Sequence, residues 1–448
     1  MYKRFYDPDV FMHNLDSVDR KHNIIATYSL DDEIPGWDFI DHFALIKEII
    51  IEGSTGSWER VAEETPEVRQ RLSGKLVGYY EIPVENPSRR VAVVQIAFPI
   101  DAWIDNVTMM LLTIAGNIWA LAPKTRLLDI AIPDDLLANF KGPKFGVPGI
   151  RELTGVKERP LILHIIKPKM GMTPKETANQ CYQTALGGVD MMKDDEMCSD
   201  LYNSKFDDRL KAVMDALEKA KAKTGRKPIY LLSITDEPRR IFDKAARAVE
   251  LGCNGLLVTY SAGLGAFRQL AEDPAINVPI MLHPSHMLGY RPTISWPVFA
   301  KMARLCGADL MLTPTLWGAV PVVPLEEVLR TVATKQAPLG HIKPMWPMPS
   351  GGTHPGVCPI YVGECGPDII IPSGGGMLAH PDGYTAGAKA WRQAIDATMS
   401  GEPLVDCAKK PENKELRRAL EKWGTFERPS TPWLRLSPKY HPKPMKFD

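Results

Sequence analysis

The chain predicts an α/β protein of two domains, an N-terminal α+β domain of ferredoxin-like type followed by a C-terminal (β/α)8 TIM barrel. Three observations carry that expectation. From about Pro160 onward, β-rich runs alternate with helical patterns at intervals of roughly 25 to 40 residues, as repeated βα units do. Most of these runs are apolar without alternation, as strands covered on both faces must be. The 448 residues also exceed the roughly 250 to 300 at which one core stops growing.

In order, the runs are PLILHIIKPK (160–169), GVDMMKDDE (188–196), PIYLLSIT (228–235), GLLVTYSA (255–262), VPIMLHPS (278–285), ADLMLTPT (308–315), IKPMWPMPSGG (342–352) and DIIIPSGGG (368–376). Between them, segments such as Asp207–Thr224 and Glu237–Leu251 repeat alanine, leucine and charged residues at helical spacing. Eight such units close naturally into a barrel. A doubly wound sheet is the alternative, but no GxGxxG follows the first run. Upstream, NIIATYSL, PGWDFIDHFALIKEII, GKLVGYYEIP and RRVAVVQIAFP mix strand and helix signals, which suits an antiparallel sheet with helices. The turn formers of GPKFGVPG (142–149) place the boundary there, giving domains 1–144 and 145–448. After Gly376 the pattern is helical, and a polar, proline-rich tail runs from Pro429 to Asp448.

Lysine plus arginine equals aspartate plus glutamate at 54 each, so there is no basic stripe for nucleic acid and a small-molecule partner is expected. Seven cysteines without a CxxC pair argue against a disulfide framework or structural zinc and for a reducing, cytoplasmic compartment. The first residues lack an apolar core of signal-peptide length. The uncharged stretch Val107–Pro123, broken by Thr108, Thr113, Gly116 and Asn117, reads as a buried segment rather than a membrane span.

Chemistry concentrates in GVDMMKDDEMCSD. On a strand Lys193 and Asp195 share a face, and Glu196 turns the corner. Two carboxylates make a weak Mg²⁺ site, and a lysine beside them repels the ion. Lys193 is therefore neutralised, paired with an acid, or converted to a carbamate that adds a ligand oxygen; the carbamate is the reading taken. A solvated turn is the bland alternative. Polar residues gather at the other strand ends too, on the rim where barrels do chemistry: Lys167 and Lys169, His283 and His286, Ser350–Gly352 and Gly374–Gly376. SGG and SGGG close the last two runs, where backbone N–H groups of barrels hold a phosphate. KPK puts Lys167 and Lys169 on one face of the first run; a lysine near a divalent ion and a second cation has a lowered pKa and can move a proton. Surface salt bridges and tight turns are the plain alternatives. His283 ends the fifth run, whereas His286, His354 and His380 have less support.

These motifs, in this order, resemble the RuBisCO large-subunit family and, within it, the RuBisCO-like proteins (form IV). KPKMGM is similar to the family's KPKLGL, GGVDMMKDDE to GGLDFTKDDE, EGSTGSW to ESSTGTW, and SGGGMLAHPDG to FGGGTLGHPWG. The similarity covers nearly the whole chain. It implies a carbamylated Lys193 that binds Mg²⁺ with Asp195 and Glu196, Lys167 handling the enolisation proton, and Lys169 as its companion. It also implies that Asn117 contacts the substrate, that Ser350 and His283 meet substrate hydroxyls, and that Gly352, Gly374 and Gly375 hold one phosphate. Glu52, Ser57 and Trp58 match the segment that reaches the partner subunit's site, so a homodimer with shared sites is implied.

The departures are as informative. Where the family has HRAMH this chain has HPSHM, so Pro284 stands at the arginine that grips a second phosphate. Where it has HSGTVVGKLEG this chain has LTPTLWGAVPV, so Leu312 replaces a histidine and Ala319 the mobile-loop lysine. None of the three side chains donates a hydrogen bond or carries charge. The expectation is a Mg²⁺-dependent enzyme that enolises a singly phosphorylated keto sugar or keto sugar acid and then tautomerises, isomerises or decarboxylates it, without CO₂ fixation. A non-catalytic stress-related or structural protein is the alternative, and a true carboxylase a third. TPTLWG, SGGTHPG and ALEKWG also resemble the diketo-methylthiopentyl phosphate enolases, although that group places its base lysine where this chain has Asn117 and lacks the second lysine of KPK.

Overall fold

Eight parallel strands form one sheet and four antiparallel strands another, in a computed structural model that describes residues 13–31, 42–56, 61–86, 89–103, 105–121, 124–316, 323–425 and 445–447. The chain divides into two compact units: residues 1–141 with 287–306 and 340–342, and residues 142–286 with 307–339 and 343–448.

In the first unit β1 (Asn23–Asp31), β2 (Lys75–Ile82), β3 (Val91–Pro99) and β4 (Arg126–Ala131) pair in the order β2-β3-β1-β4, every neighbour antiparallel. Helix His42–Glu52 precedes β2 and helix Val107–Ala115 precedes β4, so the unit is a ferredoxin-like split βαβ arrangement. Period-two alternation builds its core. Ile24, Ala26, Tyr28 and Leu30 of β1 and Ala92, Val94, Ile96 and Phe98 of β3 are all fully buried. Tyr28 Oη donates to Ile114 O at 2.8 Å, tying sheet to helix. The Val107–Pro123 stretch is not buried throughout: its helix, capped by Asn106 Oδ1, buries Val107, Met110 and Ile114 and leaves Met109 and Leu112 exposed. Helix Trp296–Leu305 also belongs to this unit, through Lys301 Nζ donating to Asp129 Oδ1 at 2.7 Å.

In the second unit all eight predicted runs are strands: β5 (Leu161–Ile165), β6 (Met191–Lys193), β7 (Ile229–Ser233), β8 (Leu256–Thr259), β9 (Ile280–His283), β10 (Leu310–Pro314), β11 (Trp346–Ser350) and β12 (Ile370–Ser373). Each is shorter than its apolar run because ladder pairing stops where the chain bends into the rim. The order β11-β10-β9-β8-β7-β6-β5-β12 follows the sequence, with β12 returning beside β5, so the sheet curls into the expected TIM-like barrel. Its interior is one apolar cluster built from alternate residues: Leu161 and Leu163, Met191, Ile229 and Leu231, Leu257, Met281, Leu310, Trp346 and Met348, and Ile370. GPKFGVPG is more than a linker. Val147 and Ile150 of helix Gly146–Thr154 join that cluster with Phe145 packed on it, and Asp309 Oδ1 accepts from Phe145 N (2.7 Å) and Gly146 N (2.8 Å) while Oδ2 accepts from Ile280 N (2.9 Å).

All seven cysteines are unpaired and buried. Among the described residues no helix is long and apolar enough to cross a membrane. Residues 429–444 of the proline-rich tail lie outside the described residues.

Candidate active site

The inward rows of the barrel change character at their carboxyl ends. Above Met191 on β6 stands Lys193, above Met281 on β9 His283, above Met348 on β11 Ser350, and above Leu310 on β10 Leu312. Three of these four are polar and share one rim, as the strand period requires.

Lys193 is the most deeply set, with a side chain 1% exposed. Its Nζ donates to Asp194 O at 2.8 Å and lies 3.7 Å from Glu196 Oε2. Burial lowers its pKa against the pull of Glu196 and Asp195, and Lys167 adds to the lowering. The amine is thus held toward the neutral form, which is the form that adds CO₂. Glu196 stays below the usual carboxylate range: burial would raise it, but the charge of Lys193, a backbone hydrogen bond and the charge of Lys169 together outweigh burial. His283 Nε2 lies 3.4 Å from Glu196 Oε2, and Ser285 Oγ sits 2.7 Å from His283 Nδ1. Burial first, and the Lys193 charge second, push His283 well below the ordinary imidazole value.

Lys167 and Lys169 reach the same acids by a route the sequence misplaces. β5 ends at Ile165, so KPK is a bend beyond the strand and the two lysines do not share a strand face. They converge nonetheless. Lys167 Nζ is 2.5 Å from Asp195 Oδ2, and Lys169 Nζ is 3.3 Å from Glu196 Oε1 and 3.6 Å from Asp195 Oδ1. Two residues absent from the sequence reading hold the bend. Gln180, buried on helix Pro174–Leu186, accepts from Lys167 N at 3.2 Å and donates to Lys167 O at 2.7 Å; Cys198 Sγ donates to Lys169 O at 2.7 Å. The buried face of that helix also carries Thr177 and Thr184, so no apolar stripe singled Gln180 out in the sequence.

β6 likewise stops at Lys193, yet alternation persists beyond it. Asp194 points away from its neighbours, accepting from Tyr230 Oη (2.6 Å), Arg209 Nε (3.2 Å) and Ser233 N (3.2 Å). It anchors the loop while Asp195 and Glu196 face the site. Among the described residues no three His, Cys, Asp or Glu side chains cluster as a ready metal site. The donor set is two carboxylates and a buried amine, which fits a hard, oxygen-seeking ion such as Mg²⁺ once the amine carries a carboxylate of its own.

The loops after β11 and β12 pack on each other and on the lysine bend. Gly352 takes φ +70°, a Cβ at Gly376 would lie 1.9 Å from Thr353 O, and one at Gly374 would lie 3.5 Å from Lys167 Cγ. Gly374 therefore stands beside Lys167, while Ser350, Gly352 and Gly375 lie at the carboxyl ends of β11 and β12. His380 is structural, bonded to Glu415 O at 2.9 Å. Leu312 is half-buried against the core, and Pro284 is buried after His283. In the first unit Asn117 Nδ2 donates to Glu52 Oε1 at 2.9 Å. Ser57, Trp58 and Ala319 lie outside the described residues.

Residues 146–423 match the ribulose bisphosphate carboxylase large chain, catalytic domain, and residues 13–136 its N-terminal domain. The chain is similar to a ribulose bisphosphate carboxylase-like protein of Archaeoglobus fulgidus, 38% identical across 94% of this chain and 97% of that one. It is also similar to a 2,3-diketo-5-methylthiopentyl-1-phosphate enolase of Geobacillus thermodenitrificans, 34% identical across 90% and 98%. Among solved structures, octameric ribulose-1,5-bisphosphate carboxylase/oxygenase of Pyrococcus horikoshii superposes with a TM-score of 0.84 at 30% identity, covering 92% of this chain and 96% of that one. With matched segments, a shared architecture and relatives aligned over at least nine-tenths of each chain, the chain belongs to the ribulose bisphosphate carboxylase large-chain family.

Proposed function

We propose that this chain is a Mg²⁺-dependent RuBisCO-like enzyme of the cytoplasm that enolises a singly phosphorylated keto sugar or keto sugar acid. Tautomerisation, isomerisation or decarboxylation follows, and CO₂ is not fixed. The observation that carries this is Lys167 lying 2.5 Å from Asp195 on the rim that Lys193 and Glu196 also line. A proton carrier and an oxygen-rich cation site in one place are what abstraction of a proton beside a carbonyl needs. Carbamylated Lys193, Asp195 and Glu196 would hold Mg²⁺, which when bound supplies the Lewis acid that makes the neighbouring C–H acidic. Lys167 moves that proton. Lys169, Asn117 and His283 orient the substrate, Ser350 meets a hydroxyl, and backbone N–H groups of Gly352, Gly374 and Gly375 take the phosphate.

Pro284 and Leu312 give a second anion no donor, which favours one phosphate over two. The relative named as an enolase of a 1-phosphate supports the same first step. A homodimer, in which Glu52, Ser57, Trp58 and Asn117 serve the partner's site, is part of the proposal. The test is deuterium uptake from D₂O into candidate keto phosphates with Mg²⁺ and bicarbonate, followed by NMR. Uptake without CO₂ release assigns tautomerisation or isomerisation, and CO₂ release assigns decarboxylation. Unchanged rates in both Lys167→Met and Lys193→Ala would remove the proposal.

A further inference from the structure

The lysines of the KPK bend sit on the acids that would hold the ion. Lys167 Nζ bonds Asp195 Oδ2, and Lys169 Nζ spans Glu196 Oε1 at 3.3 Å and Asp195 Oδ1 at 3.6 Å. With Lys193 Nζ 3.7 Å from Glu196 Oε2, three lysines face two carboxylates, and among the described residues Lys169 alone contacts both. The contacts of Lys167 and Lys169 differ in kind. The Lys167 bond is short, and its peptide is gripped on both sides by Gln180. Lys169 makes longer contacts, its side chain is 44% exposed, and its other polar neighbour is the soft Met197 Sδ at 3.9 Å. Its backbone, in contrast, is fixed by the Cys198 thiol on Lys169 O. The ammonium is therefore free to swing to water on a stationary stem.

We propose that Lys169 is a displaceable counter-ion, bridging Glu196 and Asp195 when no divalent cation is present and yielding their oxygens to one when it binds. Resting on the metal site proposed above, this assigns Lys169 a role on the acids themselves, before any substrate arrives. Lys167 pairs with Asp195 and Lys193 with Glu196, whereas Lys169 reaches both acids at once and so offsets their mutual repulsion and keeps both facing the rim. The same positive charge opposes an incoming dication, because like charges that share a pair of carboxylates repel. Metal affinity is in this way set below what the bare acids would give. Once displaced, Lys169 becomes available to an anionic ligand.

The test titrates Mn²⁺ into the full chain at fixed bicarbonate, reads free ion by electron paramagnetic resonance, and follows melting temperature. Lys169→Gln is expected to bind Mn²⁺ on the order of tenfold tighter than the wild type, while Lys169→Arg, which keeps the charge, stays within about threefold. Without metal, Lys169→Gln should melt below the wild type and gain more on adding Mn²⁺. Equal or weaker binding by Lys169→Gln overturns the counter-ion role and leaves the metal site standing. No Mn²⁺ binding by any of the three proteins overturns both. A second measurement needs no variant: acylation of Lys169 in the wild type, read by mass spectrometry, should rise severalfold with Mn²⁺. Labelling that is unchanged or lower also overturns the role.

Discussion

Gln180 holds Lys167 by both of its backbone groups, its amide oxygen taking the N–H at 3.2 Å and its amide nitrogen giving to the carbonyl at 2.7 Å. The same oxygen lies 3.0 Å from His164 Nε2. A side chain on an outer helix thereby fixes where the Lys167 ammonium emerges. Gln180→Leu removes both bonds and the His164 contact and leaves the half-buried Lys167 peptide groups unmatched, so a stability loss of about 2 to 3 kcal/mol is expected. Substrate deuterium exchange should slow by on the order of tenfold to a hundredfold. Urea unfolding together with the exchange assay checks this; full exchange in a destabilised variant would confine Gln180 to a structural role.

His164 makes acid stability a specific matter. Burial pushes its imidazole down to about 4, while the Gln180 hydrogen bond pulls the other way. An unfolded histidine takes a proton near 6.5, whereas the folded one resists until about 4. Its stabilising contribution is therefore present above 6.5 and is lost as pH falls toward 4. By about pH 5 the loss is about 2 kcal/mol relative to about pH 7. In His164→Met the penalty should be missing, so the stability gap between wild type and variant narrows with acid. Parallel pH curves from chemical denaturation would contradict it.

Asp194 and Arg209 form a buried pair, 3.2 Å apart, with side chains 1% and 3% exposed. Burial works against the guanidinium charge, but Asp194 more than restores it. Asp194→Asn strands that cation, with an expected cost of about 3 to 5 kcal/mol. Tyr230→Phe, which removes one hydrogen bond to the same carboxylate, should cost only about 1 kcal/mol. Similar midpoint shifts for the two variants would show that the charge pair is not what anchors the loop.

Two neighbouring glycines separate packing from binding. A Cβ at Gly376 would lie 1.9 Å from Thr353 O, while one at Gly375 meets nothing within 4 Å. Gly376→Ala should thus destabilise the fold by about 1 to 3 kcal/mol. Gly375→Ala should leave the melting temperature in place yet weaken the stabilisation given by added inorganic phosphate. Undiminished phosphate stabilisation in Gly375→Ala would argue that the anion lies elsewhere.

The barrel was legible because buried parallel strands write themselves as continuous apolar runs, and all eight were found. β4 was missed: RLLDIA is short and only partly buried, so neither a run nor a clean alternation stands out. The acids of the rim were legible because strand alternation continues through Lys193, Asp194 and Asp195. Lys167 and Lys169 were assigned to the right neighbourhood for the wrong reason, since a bend and a glutamine clamp replaced the expected strand face. Gln180 and Cys198 were hidden for a general reason. Residues that steady a neighbour's backbone through tertiary contact leave no periodic mark in the chain.

Asp309 and Leu312 stand three positions apart along one short segment of chain. The first gathers three N–H groups to seal the base, and the second faces the rim. Asp309 precedes β10 and Leu312 is its middle residue, so closure of the base and lining of the rim fall to different residues of one segment. A side-chain change at Leu312 leaves the three hydrogen bonds of Asp309 in place. The rim of this barrel can therefore be altered without loosening what closes its floor.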